Sequence, residues 1–551
     1  MYSHLAVIET ESNQSFIFST NRLREIVGAS EMIYRGGVDV VLEACGFPAE
    51  KVSRARSADG LRSLLMGGST VSLGNGIEPL FVASGRSVIL GDERGLEKVI
   101  SKVTKQVLDE MPGVTVRGAI ARVDEWTPTG LDVAMRTAVR RLKTFRSTLP
   151  SNDLRFQRIP FVEECRSSGL PASRTDQYAG VDAMKYPVSE PVLAKRKFRK
   201  KGWSRLREWM ASRLTENMDQ LEENLQGRDA RWVAVIHADG NGMGQIFADF
   251  SKRCKAKTAD DYIESYRSFS LAIQDCTLNA ARQALSCVWP DGHDVKGFIP
   301  LVLGGDDLTA ICDGAHAVPF AFAYLKAFER ETSNNEDIRR LLDDDPCLSA
   351  AAGIAIVKPH FPFYRAYQLA EALTSSAKQT KYRVRWKTSN RSYPCSALHY
   401  HVNFDSSGAD WDRIVEKGAN NDGDRLSIQP WIVSDISSNV EGFDWVRQRS
   451  IRTLWAGIEA LSEKDDDGRL KLPRSQQHAL RDGLFLTRQV AQGRLNRIRS
   501  RYDGVFRSLL PESDGKELFV SEDGRWVTSL LDLMDLADVG ARQPTCREVG
   551  E

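Results

Sequence analysis

What the chain has little of narrows its class first. Its nine cysteines include no CxxC pair, which argues against a zinc ribbon and a disulfide framework and fits a reducing cytoplasm. No uninterrupted apolar run approaches the ~20 residues of a membrane span. The start, Met1-Tyr2-Ser3-His4-Leu5-Ala6-Val7, has no basic region followed by a signal-type apolar core, so a cytoplasmic location with no membrane contact is expected. An excess of one charge is also missing: 75 Lys and Arg stand against 74 Asp and Glu, for a net charge of +1. There is therefore no global polyanion-binding signature, and any nucleic-acid contact must come from a local patch. With 42% hydrophobic and 27% charged residues the chain reads as an ordinary globular protein. Its 551 residues allow three or four domains, since single cores rarely grow beyond about 250–300 residues.

Against this background one short stretch stands out: Ile299-Pro300-Leu301-Val302-Leu303-Gly304-Gly305-Asp306-Asp307-Leu308-Thr309-Ala310-Ile311. The apolar runs read as two strands and the Gly-Gly-Asp-Asp as the tight turn of a β-hairpin. Glycines permit the turn dihedrals and leave open space above it. Adjacent carboxylates at such a tip repel each other unless a cation sits there; the bland alternative is a surface turn with two solvated acids. Upstream, Trp232-Val233-Ala234-Val235-Ile236-His237-Ala238-Asp239-Gly240-Asn241-Gly242-Met243-Gly244 is a buried-strand pattern that ends on an aspartate and enters a glycine-rich bend. Glycines at alternate positions let backbone N–H groups converge on an anion. Asp239, Asp306 and Asp307 together form the carboxylate set that two-metal phosphoryl transfer needs, with cations about 3.5–4 Å apart. They are the candidate metal ligands and catalytic residues.

The chain also repeats itself. The run 5–11 parallels 233–239, and 81–88 parallels 301–308, which sets Arg86 and Ser87 at the positions of Asp306 and Asp307. A helical stretch follows each hairpin, 93–111 and 317–331, and each then reaches a glycine-containing strand, 116–122 and 350–356. Strand, helix, hairpin, helix, strand is the order of a ferredoxin-like βαββαβ unit. The expected fold class is α+β, with a first palm-like domain over 1–145 and a second over 228–405. A guanidinium cannot ligate a divalent cation, so the first palm should be inert at this position.

Between the palms, 146–227 reads as a linker. Its basic cluster at 192–207 is interleaved with Phe198 and Trp203; it could grip RNA phosphates while its rings stack on bases, or be a solvated helix face. Cys165 sits in a knuckle-like Cys-Arg-Ser-Ser-Gly with no cysteine partner nearby, so no metal is expected there. The part from 406 to 551 shows long helical patterns at 443–462 and 474–501 and no catalytic cluster.

The duplicated palms and these motifs resemble the large polymerase-like subunit of type III CRISPR effector complexes. Further points of similarity are the run 16–30 in the first palm and Gly353-Ile354-Ala355-Ile356-Val357 leading into Phe361-Pro362-Phe363-Tyr364-Arg365-Ala366-Tyr367 and a helix ending near Lys378. The resemblance implies that the second palm converts ATP into cyclic oligoadenylates, using two Mg²⁺ or Mn²⁺ ions held by Asp239, Asp306 and Asp307. It implies that Gly304 and Gly305 leave room for the nucleotide, that the loop with Gly240, Asn241 and Gly242 wraps the triphosphate, and that Lys378 meets the phosphates as a point charge. Guide or target RNA and other CRISPR effector subunits are the implied partners. Many members of the family begin with an HD-type nuclease domain, whereas this chain starts in the first palm strand. Its one His-Asp dipeptide, His293-Asp294, assembles no HD cluster, so DNase activity is not expected, and a stand-alone signalling polymerase is left open. Two other readings stay open: a silent RNA-binding scaffold subunit and a diguanylate-cyclase-like enzyme.

Overall fold

The computed structural model describes residues 2–57, 59–67, 76–148, 152–177, 185–210, 213–214, 232–290, 294–295, 297–404 and 410–544. His293, residues 215–227 of the expected linker and residues 228–231 of the expected second palm lie outside the described residues.

The first palm is built on β1 (His4–Glu11), followed by helices α1 (Leu23–Tyr34) and α2 (Ala49–Ala55). The hairpin β2 (Glu78–Val82) and β3 (Arg86–Gly91) comes next, then α3 (Glu93–Glu110), β4 (Thr115–Arg122) and α4 (Pro128–Thr148). Its strands lie in the order β2-β3-β1-β4, all antiparallel. The helix α5 (Glu190–Met210) precedes the second palm. There β5 (Val233–Gly240), α6 (Met243–Ala248), α7 (Ala259–Val288), the hairpin β6 (Phe298–Gly304) and β7 (Asp307–Asp313), α8 (Gly314–Asn334), β8 (Ala350–Val357) and α9 (Phe363–Ala377) repeat the plan. The sheet then takes up β9 (Ala397–Val402) and β10 (Trp431–Ile432), in the order β6-β7-β5-β8-β9-β10. The chain is thus α+β with tandem ferredoxin-like palms, the second sheet extended by two strands.

Local chemistry explains the element ends that position the site. A capping box starts α7: Thr258 Oγ1 accepts from Asp261 N and the Asp261 carboxylate accepts from Thr258 N, both at 3.1 Å. Asp313 caps α8 by accepting from Ala315 N at 3.1 Å. Gly353 lets α9 lie directly on β8, since a Cβ there would stand 2.0 Å from Ala370 O. The two palms meet through Arg267 of α7, which pairs with Glu78 at 3.0 Å and donates to Pro79 O and Leu80 O on the edge strand β2. Phe18 stacks on Tyr367 with ring centroids 4.2 Å apart.

The strand pairing corrects the alignment of the copies. Glu9 stands opposite Arg86 in the first sheet, and Leu308 opposite Ala238 in the second, which sets Asp307 beside Asp239. Glu9, rather than Glu11, is the counterpart of Asp239. Both hairpins carry a bulge just after a proline, between Pro79 and Phe81 and between Pro300 and Val302. Matching these bulges makes Arg86 the counterpart of Asp307 and Gly85 that of Asp306, one residue from the sequence alignment.

The basic segment departs from expectation too. It forms the 21-residue helix α5, packed against α1 where two glycines allow close approach. A Cβ on Gly28 would meet Lys195 O at 1.8 Å, and one on Gly202 would meet Val27 O at 2.9 Å. Phe198 and Trp203 are buried in this contact, so their rings are not free to stack on bases. Lys195 is buried as well, donating to Phe16 O at 2.5 Å and Ser19 Oγ at 2.7 Å. Lys197, Lys200 and Lys201 face solvent.

In the C-terminal part the two long helical patterns are each broken once. Helices α10 (Phe443–Gln448) and α11 (Ile451–Ser462) divide at Ser450, whose hydroxyl accepts from Arg452 N; α12 (Arg474–Leu484) and α13 (Arg488–Leu509) divide before Thr487, which caps Val490 N. The helix α14 (Leu530–Val539) docks on the second palm through Asp532. Its carboxylate accepts from Ile428 N and Gln429 Nε2, while its backbone carbonyl accepts from Tyr400 OH. Among the described residues Cys287 is disulfide-bonded: scattered spacing does not keep cysteines apart in space. Among the described residues no helix is long and apolar enough to cross a membrane.

Candidate functional site

The central strand β5 is buried along almost its whole length and delivers Asp239 at its end. The adjacent hairpin turns over Gly305 and Asp306, with Gly304 paired to Asp307. Gly305 adopts φ +63°, a conformation that L side chains rarely take, and nothing lies within 4 Å of where its Cβ would be. One ligand oxygen from each of Asp239, Asp306 and Asp307 falls within 4.8 Å of the others. All three predicted carboxylates are therefore brought together at an open tip.

Their electrostatics are those of a site short of positive charge. Burial holds both hairpin carboxyls above the usual carboxylate range. The charge of Asp239 adds to this at Asp306, and the charges of Asp306 and Asp239 add to it at Asp307. Lys378, just past the end of α9, offsets part of the repulsion by pairing with the Asp239 carboxylate and donating to Gly240 O at 3.2 Å. The hard oxygen set suits Mg²⁺ or Mn²⁺, and Asp239, Asp306 and Asp307 are the residues that would hold them.

The glycine bend serves this cluster in three different ways. Gly240 is a packing requirement, because a Cβ there would stand 2.7 Å from Asp306 Oδ2 and 2.8 Å from Met243 Cγ. Gly242, at φ +70°, opens α6 with free space around it. Asn241 is turned into the fold, its amide donating to Ser349 Oγ at 3.0 Å and Cys395 O at 3.2 Å, so it anchors the loop rather than presenting a side chain outward.

Beneath the cluster, His237 is buried against Thr309, Nδ1 to Oγ1 at 3.0 Å, and burial pushes its pKa down to about 4. It is a neutral core residue. Sequence reasoning missed Tyr324 of α8, whose buried hydroxyl faces Thr277 and whose pKa is raised by burial and then by the charge of Asp306. Its place in an apolar helical run carries no signal of this. Ser84 was missed as well: the tip of the first palm's hairpin faces the second, with Ser84 Oγ 3.9 Å from a Cβ built on Gly304.

The corresponding place in the first palm is closed. Arg86 pairs with Glu9 at 2.6 Å, Arg146 with Glu9 at 2.9 Å and Glu11 at 2.8 Å, and Arg117 with Glu11 at 3.2 Å. Guanidinium groups stand where cations would.

A strand-end aspartate beside a diaspartate hairpin, on an antiparallel β6-β7-β5-β8 core, defines a palm domain. Residues 232–385 match the family described as Cas10/Cmr2, second palm domain, so that segment carries a palm of this type. Among solved structures it is similar to a Csm1–Csm4 cassette in complex with pppApA, with TM-score 0.51 and 14% identity over 98% of this chain and 70% of that one. It is also similar to Csm1 of T. onnurineus, with TM-score 0.48, 14% identity and the same coverage. A type III-B Cmr-beta apo structure gives TM-score 0.44 and 10% identity over 97% and 81% of the two chains. No curated protein matches the chain.

Proposed function

We propose that the second palm is a metal-dependent nucleotidyltransferase that joins ATP into cyclic oligoadenylate. The observation that carries this reading is the convergence of Asp239, Asp306 and Asp307 within 4.8 Å at a glycine tip with open space above it. Support for the substrate comes from solved relatives, whose Csm1–Csm4 cassettes are described in complex with ATP, pppApA and cA4. When bound, Mg²⁺ or Mn²⁺ ions would lower the pKa of the attacking ribose hydroxyl and neutralise the departing pyrophosphate. The chain's own residues do the positioning. Gly240 keeps the space that Asp306 needs, Asn241 ties the bend to residues just ahead of β8 and β9, and Gly304 and Gly305 leave the tip open to the nucleotide. Lys378 holds Asp239 and carries a positive charge that can move to phosphate.

On this reading the divisions 1–145, 146–227, 228–405 and 406–551 are a retired palm, a connecting segment, the working palm and a helical domain that other CRISPR effector subunits would contact. The test is incubation of the protein with ATP and Mg²⁺ or Mn²⁺, with and without RNA, reading pyrophosphate release and the mass of the product. Linear or cyclic adenylates that vanish in Asp307→Ala support the reading; no pyrophosphate under any of these conditions removes it.

A further inference from the structure

A second polar cavity lies in the first palm, on α5 and α2 and independent of the diaspartate site. Its volume is about 400 Å³, and it is lined by Arg35, Asp39, Ser53, Arg56, Lys201 and Ser204 among others. That volume falls within the range of small-molecule sites, about 300–1,000 Å³. One wall is a π-helical turn, Arg35–Asp39, continuing α1; such turns concentrate at functional positions.

The lining carries both signs of charge in a built arrangement. Arg56 bridges the carboxylates of Glu31 and Asp39, Arg205 donates to Glu31 at 2.9 Å, and Arg35 stands 3.6 Å from Asp39 and 3.8 Å from Glu43. Two groups are left over. Asp39, only 2% exposed, keeps a buried Oδ1 with no hydrogen-bond partner among the described residues. A buried acceptor of this kind calls for an N–H or O–H donor. At the mouth, Lys201 is exposed, and Lys200 and Lys197 are exposed further back along α5.

We propose that this cavity binds a nucleotide unit, a base with its phosphate, either free or within an RNA strand. The base edge would supply the N–H donor that Asp39 Oδ1 lacks, the hydroxyls of Ser53 and Ser204 would meet its remaining polar atoms, and Lys201 would take the phosphate. Where the unit belongs to a strand, the neighbouring phosphates would follow Lys200 and Lys197. A ligand with an anionic end and an N–H-bearing end matches a lining of both signs, whereas a bare anion would leave Asp39 unsatisfied.

The test uses the full chain in EDTA, which removes metal-dependent binding at the diaspartate cluster, so its outcome is independent of whether the second palm turns over ATP. Calorimetric titrations would use AMP, GMP, CMP and UMP, a ten-nucleotide oligouridylate, and inorganic phosphate. Saturable binding of a mononucleotide, or of the oligonucleotide alone, is expected. It should weaken at least tenfold in Ser204→Trp, which fills the cavity from an exposed helix position, and persist in Asp306→Ala. Asp39→Asn should change the preference among the bases. Binding by mononucleotides indicates a free ligand and binding by the oligonucleotide alone indicates a strand. Absence of binding by every nucleotide, equal affinity in Ser204→Trp, or phosphate binding as tightly as AMP overturns the proposal.

Discussion

Replacing Asp306 by asparagine should make the metal-free protein more stable while ending its chemistry. With ligand oxygens up to 4.8 Å apart, each like-charge pair costs about 3–4 kcal/mol at an effective dielectric near 20. Asp306 faces two such partners, and Lys378 offsets only part of this through Asp239. Discounting for the partial exposure of the tip, Asp306→Asn relieves about 2 kcal/mol. In a domain of this size that is a rise of about 4–8 °C in melting temperature. The assay is thermal unfolding of wild type and variant at pH 8, in EDTA and again in millimolar Mg²⁺. The wild type should gain stability from Mg²⁺ by linkage, the variant much less, and pyrophosphate release should be lost in the variant. An Asp306→Asn protein that melts at or below the wild type in EDTA, with an equal Mg²⁺ response, would refute the view of the cluster as a repulsive cage completed by cations.

Four further outcomes follow from the geometry. Asp307→Ala should abolish turnover, whereas Arg86→Ala, at its counterpart in the first palm, should leave the rate of the chemical step unchanged in single-turnover assays. Gly240→Ala places a methyl 2.7 Å from Asp306 Oδ2; turnover should fall about 100-fold through displacement of that carboxylate, with circular dichroism unchanged. If the outer face of α5 contacts RNA, neutralising Lys197, Arg199, Lys200 and Lys201 should reduce the slope of log affinity against log salt by about 2–3 in filter binding, and an unchanged slope would make it a solvated face. The Asp532 carboxyl is pushed up to about 7 by burial, so the folded protein holds this proton more tightly than the unfolded chain does. Its contribution is complete below the ordinary carboxylate pKa of about 4 and is lost as pH rises to about 7, at no more than about 1.4 kcal/mol per pH unit. Melting curves of Asp532→Asn should lack that component, and parallel curves for the two proteins would contradict it.

The parts of this molecule that could be read from sequence were those with local signatures. Two glycines and two aspartates between apolar runs specify a hairpin whatever surrounds it, and β5 ending on Asp239 is equally self-contained. Register was harder. Shifting 5–11 by two residues against 233–239 preserves the alternation of faces, so the pattern could not distinguish Glu9 from Glu11 as the partner of Asp239. The one-residue error at the hairpins came from aligning Gly85 with Gly305, when the matching prolines and bulges set Gly85 against Asp306. The burial of Lys195 and Arg205 was illegible for a different reason. Their partners, Phe16 O and Glu31, lie more than 170 positions away, and a lysine or arginine in sequence looks solvated until such partners are known. Asn241 shows the same limit, since its anchors Ser349 and Cys395 lie just ahead of two later strands.

The Arg86–Glu9 pair in the first palm has a consequence for stoichiometry. Arg86 acts as a covalently tethered counterion, present at unit occupancy in every molecule and insensitive to chelators or to the ionic composition of the medium. Of the two corresponding carboxylate positions in the tandem palms, one is in effect neutralised by the chain itself. A magnesium dependence measured on this protein would then report a single centre, and a saturation curve with two independent classes of cation-dependent activity would have to find its second class outside the sheet of the first palm.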